Sequence, residues 1–149
     1  MGANKALITN PTPNFQRLIT AAELKAGIQT GYSIVPDIVG RHLYLAILLE
    51  YTYNGIAYTG PSLEIRQDNG LGTGQVIATL NAELVITAAD SDMMVVPGPT
   101  TGILRRLLPN KGFILKTTTA ADYANGAGTG DNGTLLVKSW CVTEPRGEH

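Results

Sequence analysis

The segment that most constrains the fold of this chain is residues 42–53, which read HLYLAILLEYTY. Alternate residues of an extended strand point to opposite sides, and here both sides are largely apolar. One side carries Leu43, Leu45, Ile47, Leu49 and Tyr51, and the other carries Tyr44, Ala46, Leu48 and Glu50. A short apolar run of this kind also fits a buried helix, but the turn signals around it favour a strand. We predict a central strand that is covered on both faces and is followed by a tight hairpin at Asn54-Gly55.

Shorter strands are predicted along the rest of the chain. They cover residues 62–66, 75–80, 113–118 and 134–143, with a weaker pattern at 83–87. Clusters of Gly, Pro and Asn separate them, which is typical of an antiparallel sandwich or barrel rather than of alternating strands and helices. The sequence therefore predicts an all-β chain folded as an antiparallel β-sandwich.

One short helix is predicted near the start of the chain. Thr20 and Glu23 have the spacing of a capping box, residues 21–26 favour helix, and Gly27 can end it in the left-handed conformation. A second helical turn at residues 88–92 has a weaker signal. Residues 119–133 contain few large apolar side chains and are predicted to form a long surface loop.

The chain has 149 residues, which fits one domain. We predict an extended arm over residues 1–16, where Pro11 and Pro13 restrict the backbone, a single domain over 17–144 and a tail over 145–149. Charged residues make up 15% of the chain and the net charge is −1, so copies repel each other little and no field attracts nucleic acid or a membrane. No secretory signal is recognised, and the longest apolar run is far shorter than the roughly 20 residues that span a bilayer. A soluble protein is expected.

No set of residues has the pattern of a catalytic site. His42 has no nucleophile motif near it, and Cys141, the single cysteine, lies in an apolar strand, so both are expected to be structural. One cysteine and two histidines exclude a disulfide within the chain and a four-ligand zinc site. Four acidic residues could offer ligands to calcium, but they lack the spacing of a calcium loop and are interpreted as turn formers: Asp68, Asp90, Asp92 and Asp131. We predict no catalytic residue, no cofactor and no metal, and hence no enzyme.

Three further patterns are incomplete as binding motifs. Residues 70–74 are dense in glycine but lack the full phosphate-binding pattern, so we predict a hairpin loop there. Asn132-Gly133-Thr134 matches a glycosylation sequon, which carries no weight without a secretory signal. A small basic set is interpreted as a solvated face and consists of Arg105, Arg106, Lys111 and Lys116.

The last strand carries the candidate contact surface. Leu136, Lys138 and Trp140 lie on one of its faces, opposite Leu135 and Val137. An outward orientation would offer a patch centred on tryptophan, of the kind enriched at protein interfaces. An inward orientation would make Trp140 part of the core, and the pattern leaves both orientations open.

Five segments, taken in order, resemble small β-domain proteins encoded among the structural genes of tailed bacteriophages and prophages. They are residues 18–26 (LITAAELKA), the strand-Pro-x-x-x-Gly-strand passage across Pro36 and Gly40, residues 56–60 (IAYTG), residues 110–115 (NKGFIL) and residues 130–137 (GDNGTLLV). The resemblance implies a jelly-roll-like β-sandwich on the capsid surface of the virion. It further implies a decoration or cement protein, made in the host cytoplasm, that forms homotrimers and binds the major capsid protein.

The leading hypothesis is therefore a virion structural protein that clamps neighbouring capsid subunits. It would use the segment Leu7 to Pro13 and one edge of the sandwich. The alternative is a receptor- or glycan-binding module of a phage tail or fibre, which binds through residues 69–74 and 119–133 and has Tyr123 as the single aromatic residue of those loops.

Overall fold

The computed structural model describes residues 12–37, 39–67, 75–80, 86–97 and 110–144. Most of these residues belong to strands, which confirms the predicted all-β class. The elements, in chain order, are β1 (Phe15–Ile19), α1 (Ala21–Lys25), β2 (Tyr32–Val35), β3 (Arg41–Thr52), β4 (Gly55–Thr59), β5 (Leu63–Gln67), β6 (Gln75–Leu80), β7 (Asp92–Pro97), β8 (Phe113–Thr117), β9 (Ala124–Gly128), β10 (Asp131–Asn132) and β11 (Thr134–Glu144).

Two four-stranded antiparallel sheets form the body of the fold. Sheet A has the strand order β1-β11-β3-β7, and sheet B has the order β2-β8-β5-β6. The chain alternates between them: β1, β3, β7 and β11 lie in sheet A, whereas β2, the pair β5 and β6, and β8 lie in sheet B. This is the winding of a jelly roll, so the predicted jelly-roll-like sandwich is confirmed.

The core lies between sheets A and B. Sheet A contributes alternate residues of β3 and β11, and sheet B those of β5 and β8, because one face of each strand points inward. Fully buried side chains from these four strands include Ile47, Leu49, Leu135, Ile65, Phe113 and Leu115. The buried side chain of Gln67 is paired with backbone, since its Nε2 donates to the Lys111 carbonyl at 3.1 Å.

A small third sheet, sheet C, has the order β10-β4-β9 and corrects two predictions. The hairpin predicted at Asn54-Gly55 is wrong, because β4 pairs with β9 and β10 and not with β3. Gly55, at a φ of 119°, turns the chain out of sheet A and lies against the backbone of Thr129, where a side chain would not fit. The long surface loop predicted for 119–133 is also wrong in part, because it contains β9 and β10.

The capping box predicted for the short helix is confirmed. The Glu23 amide donates to Thr20 Oγ1 at 3.2 Å, and the Thr20 amide donates to Glu23 Oε1 at 3.1 Å. Leu24 anchors the helix in the core, and Gly27 follows it at a φ of 115°. Helical turn 88–92 is not formed: residues 86–90 are a turn and bends, and Asp92 begins β7.

Two strands lie near the ends of the predicted domain. Strand β1 begins at Phe15, two residues inside the segment assigned to the arm, and β11 ends at Glu144. Residues 1–11, 68–74, 81–85 and 145–149 lie outside the described residues. On either side of 68–74, Gln67 is opposite Gln75 in an antiparallel pair, as expected for strands joined by a hairpin loop.

Three tyrosines connect sheet C to the core. The rings of Tyr51 and Tyr58 have centroids 6.3 Å apart, and those of Tyr58 and Tyr123 are 6.0 Å apart in an edge-on arrangement. Tyr58 donates its hydroxyl to the Gly133 carbonyl at 2.7 Å, and Tyr123 donates to the Pro61 carbonyl at 2.6 Å. Among the described residues, the buried Tyr51 hydroxyl has no hydrogen-bond partner.

Candidate functional site: the outer face of sheet A

The orientation of β11 decides where Trp140 lies. Leu135, Val137 and Ser139 are buried between the sheets, so the alternate residues of the strand point to the outside of sheet A. Leu136 and Trp140 are half-buried there by their neighbours on the same face. Trp140 is therefore part of an outward surface and not of the core.

The neighbouring strands extend this surface across the whole sheet. Residues that lie opposite each other in the strand register form three rows on the outer face. The rows are Leu18-Leu136-Glu50-Met93, then Gln16-Lys138-Leu48-Val95, then Trp140-Ala46-Pro97. We call this surface the apolar face and define it by Leu18, Ala46, Leu48, Met93, Val95, Leu136, Trp140 and Val142.

Four of its side chains are more than half exposed. These are Leu18 at 52%, Met93 at 60%, Val95 at 61% and Val142 at 52%. Four strands about 4.8 Å apart and three rows about 7 Å apart give the whole outer face roughly 400 Å² in projection, of which the polar positions Gln16, Lys138 and Glu50 take about a quarter. Apolar patches of a few hundred Å² on soluble proteins are often functional, and larger ones mark interaction sites. The apolar face has the size and composition of a contact surface.

The structure thus corrects half of the prediction for β3. The strand is central, since it lies between β11 and β7. Its outer face is not covered, because Ala46, Leu48 and Glu50 are only half-buried. In a sandwich of two layers each sheet has one face in the core and one outside, so both faces of a strand are covered only if something further packs on the outside.

One ion pair lies within the apolar face. Lys138 Nζ donates to Glu50 Oε1 at 3.1 Å, and both side chains are about 30% exposed, at 27% and 29%. The two residues belong to neighbouring strands and to neighbouring rows of the face. Because each charge is neutralised by the other, a partner does not need to supply an opposite charge to cover this surface.

The outer face of sheet B is different in character. Glu64 is only 7% exposed and lies between two cations: Arg66 Nη1 donates to Glu64 Oε1 at 3.1 Å, and Lys116 Nζ is 3.8 Å from the same oxygen. A cross-strand neighbour on this face, Thr79, is exposed. The two broad outer surfaces are therefore chemically distinct, one apolar and one ionic.

The residues considered for catalysis are not brought together. Cys141 is half-buried next to the core, where burial raises the pKa of its thiol to about 11, and its amide is bound by Asn14 Oδ1 at 2.7 Å. The backbone of His42 lies opposite Thr143 in sheet A, and its side chain is outside what the structure describes. Within the described part of the chain, no group of three His, Cys, Asp or Glu residues is placed to hold a metal ion.

Two of the acidic residues accept a hydrogen bond from the amide of the next residue. Asp90 accepts from the Ser91 amide at 2.8 Å, and Asp92 accepts from the Met93 amide at 2.7 Å. Asp131 begins the short strand β10, and Asp68 lies outside the described residues.

The described residues of the basic set and of the sequon make contacts within the chain. Lys111 pairs with Asp37 at 3.3 Å, Lys116 approaches Glu64, and Arg105 and Arg106 lie outside the described residues. In the sequon, Asn132 donates from Nδ2 to Asn125 Oδ1 at 2.9 Å and accepts from Lys25 Nζ at 3.3 Å.

Tyr123, the aromatic residue of the glycan-binding alternative, is only 3% exposed. Its ring packs on Tyr58 and leaves no face for a sugar to stack on. The second loop of that alternative, residues 69–74, lies outside the described residues. The glycan-binding alternative stays a prediction, but Tyr123 is not available to stack on a sugar.

In the described part of the chain, no helix is long and apolar enough to cross a membrane. No protein-family model, curated protein or solved structure matches the chain significantly.

Proposed function

We propose that this protein is a structural subunit of a bacteriophage virion, a decoration or cement protein that bridges subunits of the major capsid protein on the outside of the head. The observation that supports it is the apolar face. Four large apolar side chains of one sheet are more than half exposed, and contact with another protein would remove them from water. The proposed partners are further copies of the chain and the major capsid protein.

A protein with this role binds its neighbours through broad contact surfaces and does not need a ligand pocket. A stable contact between two proteins buries about 800 Å² on each partner, and many identical weak contacts on one particle add through multivalency. A net charge of −1 allows copies to lie close together on a shell without strong repulsion. The capsid as the site of action comes from the resemblance to phage structural proteins.

The test uses heads of the phage or prophage that carries the gene, prepared without this protein. Purified protein is added, the heads are sedimented, and the temperature at which they release DNA is measured with and without it. We expect saturable cosedimentation and a higher release temperature. A protein that stays in the supernatant and leaves the release temperature unchanged would overturn the proposed function.

A further inference from the structure

We infer that the apolar face binds a second copy of this chain face to face, in a twofold pair that buries Trp140 and Val95 of both copies. This deepens the proposed function by naming the occupant of the apolar face, and it rests on that function only for its place on the virion. The pairing itself is a property of the free protein.

The chemistry of the two outer faces selects the partner surface. If a neighbour packed the ionic face of sheet B against the apolar face, Glu64, Arg66 and Lys116 would lose water without gaining a polar partner. A second apolar face brings fewer charges to the contact: Lys138 and Glu50 also lose water, but they pair with each other within each copy, and the rest of the face is largely apolar. Among the described outer faces of the two main sheets, the surface that fits the apolar face is thus the same face of a second copy, which is the definition of an isologous contact.

The ion pair supports the same arrangement. Lys138 lies on β11 and Glu50 on β3, and their charged groups are 3.1 Å apart on the outer side of the sheet. A twofold axis in the plane of the contact, perpendicular to the line between the two charged groups, reverses that line in the second copy. Lys138 then faces Glu50 of the partner subunit, and the contact between the two faces is attractive in both directions.

The area of the apolar face predicts that contact between two copies is weaker than a standard protein interface. The whole outer face of sheet A covers roughly 400 Å² in projection, against the 800 Å² or so of accessible surface that each side of a standard interface buries. Side chains that stand above the sheet add to the projected value, which brings the contact to the lower end of stable interfaces. We expect weak pairing that is reversible on dilution.

This pairing differs from the homotrimer that the resemblance implies. In a ring of three copies each contact is heterologous, so the apolar face of one copy would meet a different surface of the next. Solution mass separates the two arrangements, because one chain has a mass of 15.8 kDa and a pair has twice that value, whereas a ring has three times it.

Trp140 provides a reporter inside the proposed contact, because it is the single tryptophan of the chain. Mass by light scattering or sedimentation and Trp140 emission are measured over the same dilution series. We expect the mass to fall from that of a pair to that of one chain, while the emission shifts to longer wavelength and quenching by iodide increases over the same concentrations. The change Val95→Lys should weaken pairing at least 10-fold, and the matched control Thr79→Lys, at an exposed strand position of sheet B, should leave it unchanged.

A charge exchange keeps the test valid if a variant folds poorly. Lys138→Glu and Glu50→Lys should each give monomers, because a face with two like charges meets the same face of its partner. Mixed in equal amounts, the two variants should form a one-to-one pair, since the faces are now opposite in sign. A folding defect in either variant would not be relieved by mixing.

Three results would overturn the inference. The first is a mass of three chains, and the second is a pair in which Trp140 emission does not change on dilution. The third is a monomer at all concentrations. This result counts against the pairing even if another part of the same chain protects Trp140 from iodide. The head-binding assay is separate: a pair that fails to bind heads refutes the proposed function alone, and a monomer that binds heads refutes the pairing alone.

Discussion

Removal of a single hydroxyl group from each of two neighbouring buried tyrosines is expected to change stability in different directions. Tyr58 and Tyr51 are 1% and 2% exposed, and their rings pack against each other. The Tyr58 hydroxyl donates to the Gly133 carbonyl at 2.7 Å, whereas the Tyr51 hydroxyl has no partner among the described residues. The substitutions Tyr58→Phe and Tyr51→Phe therefore remove the same atom from a paired site and from an unpaired one.

The magnitudes follow from hydrogen-bond energetics. A neutral hydrogen bond contributes about 0.5–1.5 kcal/mol net, and a buried carbonyl left without its donor adds part of its desolvation cost. We expect Tyr58→Phe to lower the free energy of unfolding by about 1–2 kcal/mol. Tyr51→Phe removes a hydroxyl that was desolvated without compensation, so its effect should lie between zero and a stabilisation of about 1 kcal/mol.

The assay is urea unfolding at pH 7, followed by circular dichroism and by Trp140 fluorescence, at a protein concentration low enough to keep the chain monomeric. The two variants should differ in midpoint with similar slopes, and in thermal unfolding by a few degrees, since about 1 kcal/mol corresponds to about 2–4 °C for a domain of this size. A loss for Tyr51→Phe as large as that for Tyr58→Phe would refute the reasoning, because it would mean that the packing of the ring edge and not the hydrogen bond sets the cost.

Four further predictions concern single groups. Burial raises the pKa of Tyr58 to about 12, and an unfolded tyrosine ionises near 10. The contribution of this hydroxyl, measured as the difference in free energy of unfolding between the wild-type protein and Tyr58→Phe, should be constant below about pH 10 and fall by up to about 1.4 kcal/mol per pH unit between about pH 10 and about pH 12. Urea midpoints of both proteins at a series of pH values will measure it, and a difference that does not change over this range would contradict it. Burial raises the pKa of Cys141 to about 11, so a thiol reagent at pH 8 should label the folded protein roughly 100-fold more slowly than the protein in urea, and equal rates would refute the burial. Asp122 accepts three hydrogen bonds from Gly27 and Gln29, at 3.0, 2.8 and 3.0 Å, so Asp122→Ala should cost about 2 kcal/mol in urea unfolding, against a negligible cost if the turn holds without them. A Cβ at position 112 would overlap the Val35 carbonyl oxygen, so Gly112→Ala should lower the melting temperature by several degrees, and an unchanged value would show that the two strands can separate freely there.

Features of the fold that depend on a few adjacent residues could be predicted. The capping box of Thr20 and Glu23 is such a feature, because both partners belong to the same helical turn. The strands β3, β5, β6, β8 and β11 are others, since their alternation or apolar runs are visible within the strand itself. Strands β1 and β7 were not predicted, although Phe15, Arg17 and Ile19 alternate with polar or exposed positions and residues 93–96 form an apolar run.

The omission of these two strands hid most of the apolar face. Leu18 lies on β1, and Met93 and Val95 lie on β7, so half of the strands that carry the surface were absent from the predicted fold. The alternation of the last strand places Trp140 and Leu136 on one face, but it does not predict which residues of other strands lie beside them. The rows that make the surface depend on strand register, which is a relation between residues far apart in the chain.

By itself the sequence determined the class of the fold, the helix cap and the period-two pattern of the long strands, because these depend on interactions within a few residues. Only the tertiary structure decided that Trp140 points outward, that Asn54-Gly55 leads to a third sheet instead of a hairpin, and that Tyr123 is buried. In each case the local sequence is compatible with two structures. The residues that pack against the segment in the folded chain decide which of the two forms. Those residues are brought there by the winding of the chain between the two sheets.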